Sequence, residues 1–251
     1  MAKLQNTLNL PLEKITTEEL KNYLLSQICN SNISATLINQ NISAFKIVQE
    51  DVLGRPWDAF KIRRPRVEKK LPNVLTVQEV EKILSSIENF KHRTMLMLLY
   101  SSGLRAQELL SLKPEHILSS TMRVFVNKGK GKKDRLTLLS QKALEQLRLY
   151  YKVYRPKTVL FESGMRRGNA LSKSSLEEII KKAVFRSGVI KKVKSHTFRH
   201  SFATHLLEQG VNIRLIQQFM GHSSIKTTSV YLHLVNSDNK NLRSPLDGMN
   251  L

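Results

Sequence analysis

Cysteine is nearly absent from this 251-residue chain: there is one, Cys29. A lone thiol excludes a disulfide framework within the chain, which fits a reducing cytosol. Cys29 lies in an apolar helical pattern and is read as a small buried hydrophobe, not as a reactive thiol. Long apolar runs are missing too. The most apolar stretch, Met95–Tyr100 (MLMLLY), is far too short to span a bilayer. The first fifteen residues hold no continuous apolar segment of the kind a secretory signal needs. A soluble, cytoplasmic chain is expected. Acidic residues are scarce as well, with 20 Asp plus Glu against 41 Lys plus Arg, a net charge of +21. Such an excess repels itself in the folded state and calls for a polyanionic partner, nucleic acid first. An anionic membrane surface is the weaker alternative, because no helix pairs a basic face with a Trp/Phe/Leu face.

The 41% of apolar residues suffices for a real core. Two helices are expected at Glu18–Cys29 and Ser34–Val52, the second with Leu37, Ile38, Ile42, Phe45 and Val48 at helical steps. Arg55–Asn73 holds three prolines and seven Lys/Arg and cannot form one helix; it reads as a basic interdomain linker. Fully extended it would span roughly 60 Å at about 3.3 Å per residue. Beyond it, Thr76 and Glu79 fit a capping box, a helix covers His92–Ser102 and stops at Gly103, and another begins near Arg105. Arg123–Val126 and Arg135–Leu139 read as strands around a glycine-containing hairpin, with Val159–Phe161 as a third strand. Helices follow at Ser140–Tyr151, Ser174–Ser187, His196–Glu208, Asn212–Met220 and Ser224–Leu232. The expected organisation is a mostly α protein with a small antiparallel β-sheet. It comprises a short helical N-terminal unit (1–54), the basic linker (55–73), a larger domain (74–235) and a polar tail (236–251).

Three segments carry candidate chemistry. In Ser101–Leu109, Arg105 follows a glycine stop at a helix start, where backbone donors and a guanidinium fork suit a phosphate. Glu108, one turn on, is placed to hold that guanidinium. His196-Thr-Phe-Arg199 sets an imidazole and a guanidinium on one helical face. His196, His200 and His205 lack the spacing and the carboxylate of a metal site, so no metal is assigned, and His200 and His205 are read as packing or solvated histidines. Met220-Gly-His222 precedes the segment Ser224–Tyr231, with Tyr231 nine residues after His222. Taken singly, each is more often structural: Arg105 and Glu108 an ion pair, Tyr231 a packing ring.

Together they say more. Arg105, Lys130 in Gly129-Lys-Gly131, His196-x-x-Arg199, Gly221-His222 and Tyr231 occur in this order. The segments SSGLRAQELLSL, NKGKGKKDRLTLL, SHTFRHSFATHLLEQG and MGHSSIKTTSVYLH resemble the tyrosine recombinase (phage integrase) family, its Xer-type and integron-type members in particular. The likeness is strong over about Leu71–Leu234 and weak before it. It implies a site-specific recombinase whose catalytic domain follows a short helical DNA-binding domain. Arg105 and Arg199 would clamp the non-bridging oxygens of the scissile phosphate. His196 and His222 would hydrogen-bond it, His196 being placed to take the tyrosine proton. Lys130 would protonate the leaving 5′ oxygen, and Tyr231 would attack to give a 3′-phosphotyrosyl link. A phenol of ordinary pKa is about one part in a thousand ionised at neutral pH, so it needs a base or strongly positive surroundings. Fixed cations also stabilise the charge spread over a phosphoryl transition state. Gly129-Lys-Gly-Lys-Lys lacks Walker spacing, so neither nucleotide nor other cofactor is expected.

Lys128, Lys132, Lys133 and Arg135 on the hairpin, and Arg63, Arg64 and Arg66 in the linker, are the expected phosphate contacts. Arg166, Arg167 and Lys191–Lys194 lie near the same segments. Such contacts set register without reading sequence. The resemblance further implies a homotetramer on two double-stranded DNA sites, in a bacterial-type, nucleoid-associated setting. Two other readings remain open: a type IB topoisomerase-like enzyme that religates the same strand, and a silent DNA-binding accessory protein. The N-terminal unit is short for the family.

Overall fold

The computed structural model describes residues 2–31, 33–57, 62–66, 71–127, 134–164 and 168–234. The chain divides into two compact units, Met1–Lys70 and Leu71–Leu251.

The first unit holds α1 (Ala2–Leu8), α2 (Thr17–Ser31) and α3 (Ala35–Ile47), the last widening into a π-type turn at Val48–Val52. Ser34 caps α3 by accepting from the Leu37 amide. Leu20, Tyr23 and Leu24 of α2 share a core with Ile38, Ile42 and Phe45 of α3, each set at three- and four-residue steps. Cys29, five positions beyond Leu24, falls off that stripe and is exposed. The expectation of a buried thiol is therefore corrected. Part of the stretch read as a linker also belongs to this unit: Ile62 is in its core and Trp57 packs against it. The Phe45 and Trp57 rings meet edge-on at 6.2 Å, and Arg55 donates to the Glu13 carbonyl at 2.7 Å. The apolar residues among the linker's prolines draw the chain back onto the helices.

The second unit opens with α4 (Val77–Ser85), whose capping box joins Thr76 and Glu79. Then come α5 (Phe90–Ser101), the short α6 (Ala106–Leu110), and an antiparallel sheet of β1 (Ile117–Leu118), β2 (Arg123–Val126) and β3 (Arg135–Leu138) in the order β1-β2-β3. The third strand is thus Ile117–Leu118, paired with Val124 and Arg123, and not Val159–Phe161. Leu160 and Phe161 are instead buried in the core, with the Leu160 carbonyl accepting from Tyr150 Oη at 2.9 Å. A residue pair is too short to show alternation, so β1 leaves no mark in the sequence.

The remaining helices are α7 (Gln141–Tyr154), α8 (Lys173–Ser187), α9 (Ser195–Glu208), α10 (Ile213–Met220) and α11 (Ile225–Thr228), followed by a 3₁₀ turn at Ser229–His233. The helix expected over Ser224–Leu232 therefore tightens midway, and Tyr231 rides on the 3₁₀ turn. Helix α9 is buried over most of its circumference. Phe198 joins the main core, while Phe202 and Ala203 join a second cluster with Ile216, Phe219, Met220 and Tyr231.

The turn between α5 and α6 depends on Gly103, whose φ is +58°. A Cβ there would stand 2.2 Å from Phe202 Cδ1. Left-handed backbone costs an L-residue about 1–2 kcal/mol, and overpacking adds about 1–3 kcal/mol. Gly103→Ala is expected to lower stability by roughly 2–5 kcal/mol in a urea melt. A loss below about 1 kcal/mol would mean that the turn yields to the ring.

Candidate active site

The site begins at that turn. Arg105 is the N-cap of α6, and its backbone N–H donates to Glu108 Oε2 at 2.7 Å while Nη1 donates to Glu108 Oε1 at 2.7 Å. The helix-end donor expected to meet an anionic ligand is thus turned onto the protein's own carboxylate. Arg105 Nη2 also lies 3.4 Å from the Gly221 carbonyl.

Glu108 is the hub. Arg135 approaches it as a fork, Nη1 to Oε1 and Nη2 to Oε2, each at 2.7 Å, and gives its Nε to the Phe219 carbonyl at 2.8 Å. Burial pushes the Glu108 carboxyl up, but the bonds and charge of Arg135, with those of Arg105, outweigh it and hold the group at about 2. Arg135 was expected among the DNA-facing cations of the hairpin. Its side chain is 8% exposed, and its Nη1 and Nη2 are paired with the Glu108 carboxylate, so its charge is met inside the protein and not at the DNA-facing surface. The reason is its place on β3, beside α10, with Glu108 below to pair its charge.

Arg199 is 3% exposed. Its Nη1 donates to the Gly103 carbonyl at 2.6 Å and its Nη2 to the Met220 carbonyl, and Nη1 stands 3.8 Å from Glu108 Oε2. Gly103 and Gly221 both adopt positive φ, +58° and +59°. Two glycine-dependent helix endings therefore turn carbonyls onto the guanidinium. Burial and the nearby Arg105 lower the Arg199 pKa to about 9, against the pull of Glu108. The group still carries its charge at neutral pH.

Helix α9 brings His196, Arg199 and His200 to the same region. His196 is exposed and its pKa is lowered by burial of part of the ring and by Arg199 and Lys173. Its ring lies 6.3 Å from that of His200. His200 Nδ1 is 2.9 Å from Tyr231 Oη, a contact that reading His200 as a packing histidine missed. Burial, His196 and Arg199 press His200 down to about 4. His222 Nδ1 is 3.0 Å from Thr228 Oγ1, and burial with Arg199, Arg105 and Arg135 lowers His222 to about 4. His205 is structural: Nδ1 meets Tyr100 Oη at 2.8 Å and Nε2 the Leu75 carbonyl at 2.9 Å.

Tyr231 is 3% exposed. Burial raises its hydroxyl to about 12, while Arg199 and then Arg105 pull it the other way. Arg105, His196, Arg199, His222 and Tyr231 thus gather in one neighbourhood, tied by bonds or by mutual fields. Lys130, Lys128, Lys132 and Lys133 lie outside the described residues, as do Arg166, Arg167 and residues 235–251. Arg63, Arg64 and Arg66 are exposed in the first unit, where Arg64 donates to Ser43 Oγ at 2.9 Å. Lys191 is committed to Glu79 at 2.7 Å and to the Val74 carbonyl. Among the described residues, no cluster of three or more His, Cys, Asp or Glu is placed to hold a metal ion, and no helix is long and apolar enough to cross a membrane.

The phage integrase family model matches residues 73–237. A tyrosine recombinase of Pseudothermotoga lettingae is 40% identical over 212 residues, covering 83% of this chain and 73% of the relative. The tyrosine recombinase XerA of Pyrococcus horikoshii is 34% identical over 225 residues, covering 89% and 77%. Among solved structures, XerH recombinase bound to its difH substrate superposes with a TM-score of 0.69 at 24% identity, covering 91% of this chain and 69% of that one. A lambda integrase dimer on a core site gives 0.67 at 22% identity, covering 93% and 84%. These two likenesses speak for the fold. On the family match and the identities to the curated relatives, the chain belongs to the phage integrase family, among its tyrosine recombinases.

Proposed function

We propose that Tyr231 is the nucleophile and that the protein breaks and rejoins double-stranded DNA through a 3′-phosphotyrosyl link. The observation that carries this reading is the hydroxyl's position in the joint field of Arg199 and Arg105. These two cations are anchored on backbone carbonyls and on Glu108. A phosphodiester drawn to them meets the tyrosine on entry. Their charges are fixed before the reaction begins, so little reorganisation is needed as negative charge spreads over the phosphoryl oxygens. Tyr231 Oη bonds to phosphorus, the bond to the 5′ oxygen breaks, and that oxygen takes a proton, a role assigned to Lys130. His222 and His196 supply hydrogen bonds to the same phosphate. Attack by the 5′ hydroxyl of another strand reverses the steps, and the stored phosphoester bond removes any need for ATP.

The net charge of +21 supports a DNA partner held by phosphate contacts, and a cytoplasmic, nucleoid-associated setting is proposed with it. Arg63, Arg64 and Arg66, with Lys128, Lys132 and Lys133, are the proposed contributors. The 1–54 helical unit with the basic 55–73 segment serves as an accessory DNA-binding domain to the 74–235 catalytic domain. We further propose that the active assembly is a homotetramer on two sites; the DNA-bound XerH and lambda integrase neighbours support the DNA partner.

The test is a nicked duplex carrying the target site, located by footprinting on DNA flanking the protein's own gene. Loss of the short cleaved fragment prevents religation. A covalent protein–DNA band is expected, with the modified peptide containing Tyr231. A wild-type protein that binds the duplex and yields no such band would end the proposal.

A further inference from the structure

The structure assigns the Tyr231 proton to His200: this imidazole, and not that of His196, receives it through Nδ1 as the hydroxyl attacks. The inference rests on Tyr231 being the nucleophile and concerns a residue that the His-x-x-Arg pattern does not include.

The geometry is direct. His200 Nδ1 lies 2.9 Å from Tyr231 Oη, within the reach required of a general base, and the two ring centres are 5.7 Å apart. His200 follows Arg199 on α9, so the clamp for the phosphate and the acceptor for the proton hang from one rigid helix. His196 is a full turn away, exposed, with its ring 6.3 Å from that of His200. It is better placed to meet a phosphate oxygen than the phenol.

The surroundings explain how a weak base suffices. The charged and titratable groups that bear on the ring are His196 and Arg199 on α9, His222 after α10, and Tyr231 itself. The carboxylate of this region, Glu108, is engaged by Arg105, Arg135 and Arg199. Before DNA arrives the ring is therefore neutral, and in the tautomer with hydrogen on Nε2 its Nδ1 accepts the phenolic O–H. A phosphodiester entering between the arginines brings negative charge to that cluster and makes a protonated imidazole affordable. The attacked phenol itself becomes far more acidic as its oxygen bonds to phosphorus, so the transfer runs downhill late in the step. Atoms balance: the Tyr231 oxygen pair forms the new P–O bond, the electrons of the old bond leave with the 5′ oxygen, Nδ1 keeps the phenolic proton, and a separate donor protonates the 5′ oxygen. Rejoining returns both protons.

The test is single-turnover cleavage of the nicked site by wild type, His200→Ala and His200→Asn, with DNA binding and thermal melting measured alongside. Asn keeps a hydrogen-bonding group near Nδ1 but cannot take the proton, and it covers the case in which the Ala variant fails to fold. Both variants are expected to bind DNA as the wild type does and to cleave slower by roughly 10²–10⁴-fold. Added imidazole should recover part of the Ala variant's rate, in proportion to its unprotonated form. The deficit should persist on a substrate whose 5′ bridging oxygen is replaced by sulfur, which departs without a proton. Wild-type rates in the Asn variant would overturn the proposal by showing that the ring only holds the hydroxyl in place. Full rescue by the sulfur substrate would overturn it by moving the ring to the leaving-group side. Absence of any adduct with the wild-type protein would strike instead at the Tyr231 reading beneath it.

Discussion

A Tyr231→Phe protein is expected to bind its DNA site as tightly as the wild type and to form no covalent adduct. The change removes one oxygen and leaves the ring in its cluster with Phe202, Phe219 and Met220. The fold therefore loses only the hydroxyl's bond to His200, about 1 kcal/mol. The chemistry loses its nucleophile. With the hydroxyl raised to about 12, roughly one molecule in ten thousand is ionised at pH 8, so the resting enzyme holds a protonated phenol and must activate it during the attack. Because Tyr231 lies beside Arg199 and His200 of its own chain, mixing Tyr231→Phe with an Arg199→Ala protein should not restore adduct formation. Adduct formation by the Phe variant at the wild-type level would show that another residue attacks. Rescue in the mixture would show that the tyrosine serves a neighbouring protomer.

The sequence made most of this neighbourhood legible because its parts are local patterns. Arg105 and Glu108 lie one helical turn apart, as do His196 and Arg199, and glycines mark the turns at 103 and 221. What stayed hidden was set by packing between distant segments. His200 and Tyr231 are 31 residues apart, and nothing in Arg199-His200 announces that the second ring faces the tyrosine. The one available signal was its four-residue spacing from His196, which puts both rings on one face of α9. Arg135 was obscured differently. It closes a run of lysines and shares their charge, so composition assigned it to solvent. Its position opposite Val126 on a paired strand, next to α10, decided otherwise. The exposure of Cys29 was legible in principle, since the spacing of Leu20, Tyr23 and Leu24 already leaves position 29 off the apolar stripe.

Glu108→Ala is expected to damage stability and activity together, and the two losses can be separated. The carboxylate is 9% exposed and stands between Arg135, Arg105 and Arg199. Removing it leaves buried guanidinium groups facing one another with no counter-charge, a defect of about 3–5 kcal/mol. The sign with pH follows from the carboxyl's depressed value. Its contribution is complete above the ordinary 4.5 and is lost as pH falls toward about 2. The gap in melting temperature between wild type and Glu108→Gln should therefore be widest at neutral pH and narrow steadily below about 4.5. A second variant isolates the catalytic share. Replacing Glu108 with Leu and Arg135 with Met removes one buried pair of opposite charges at similar volume, so that only Arg199 is left buried without a carboxylate neighbour, a smaller loss than leaving both arginines unpaired. Arg105 then keeps its backbone but loses the carboxylate that fixes its guanidinium. This double variant is expected to melt closer to wild type than Glu108→Ala does, yet to cleave the nicked site roughly 10²-fold or more slowly, in the range seen when a charge-stabilising donor is lost. Cleavage at the wild-type rate in the double variant would show that Arg105 finds the phosphate unaided, and Glu108 would then be a buried counter-charge with no part in arranging the site.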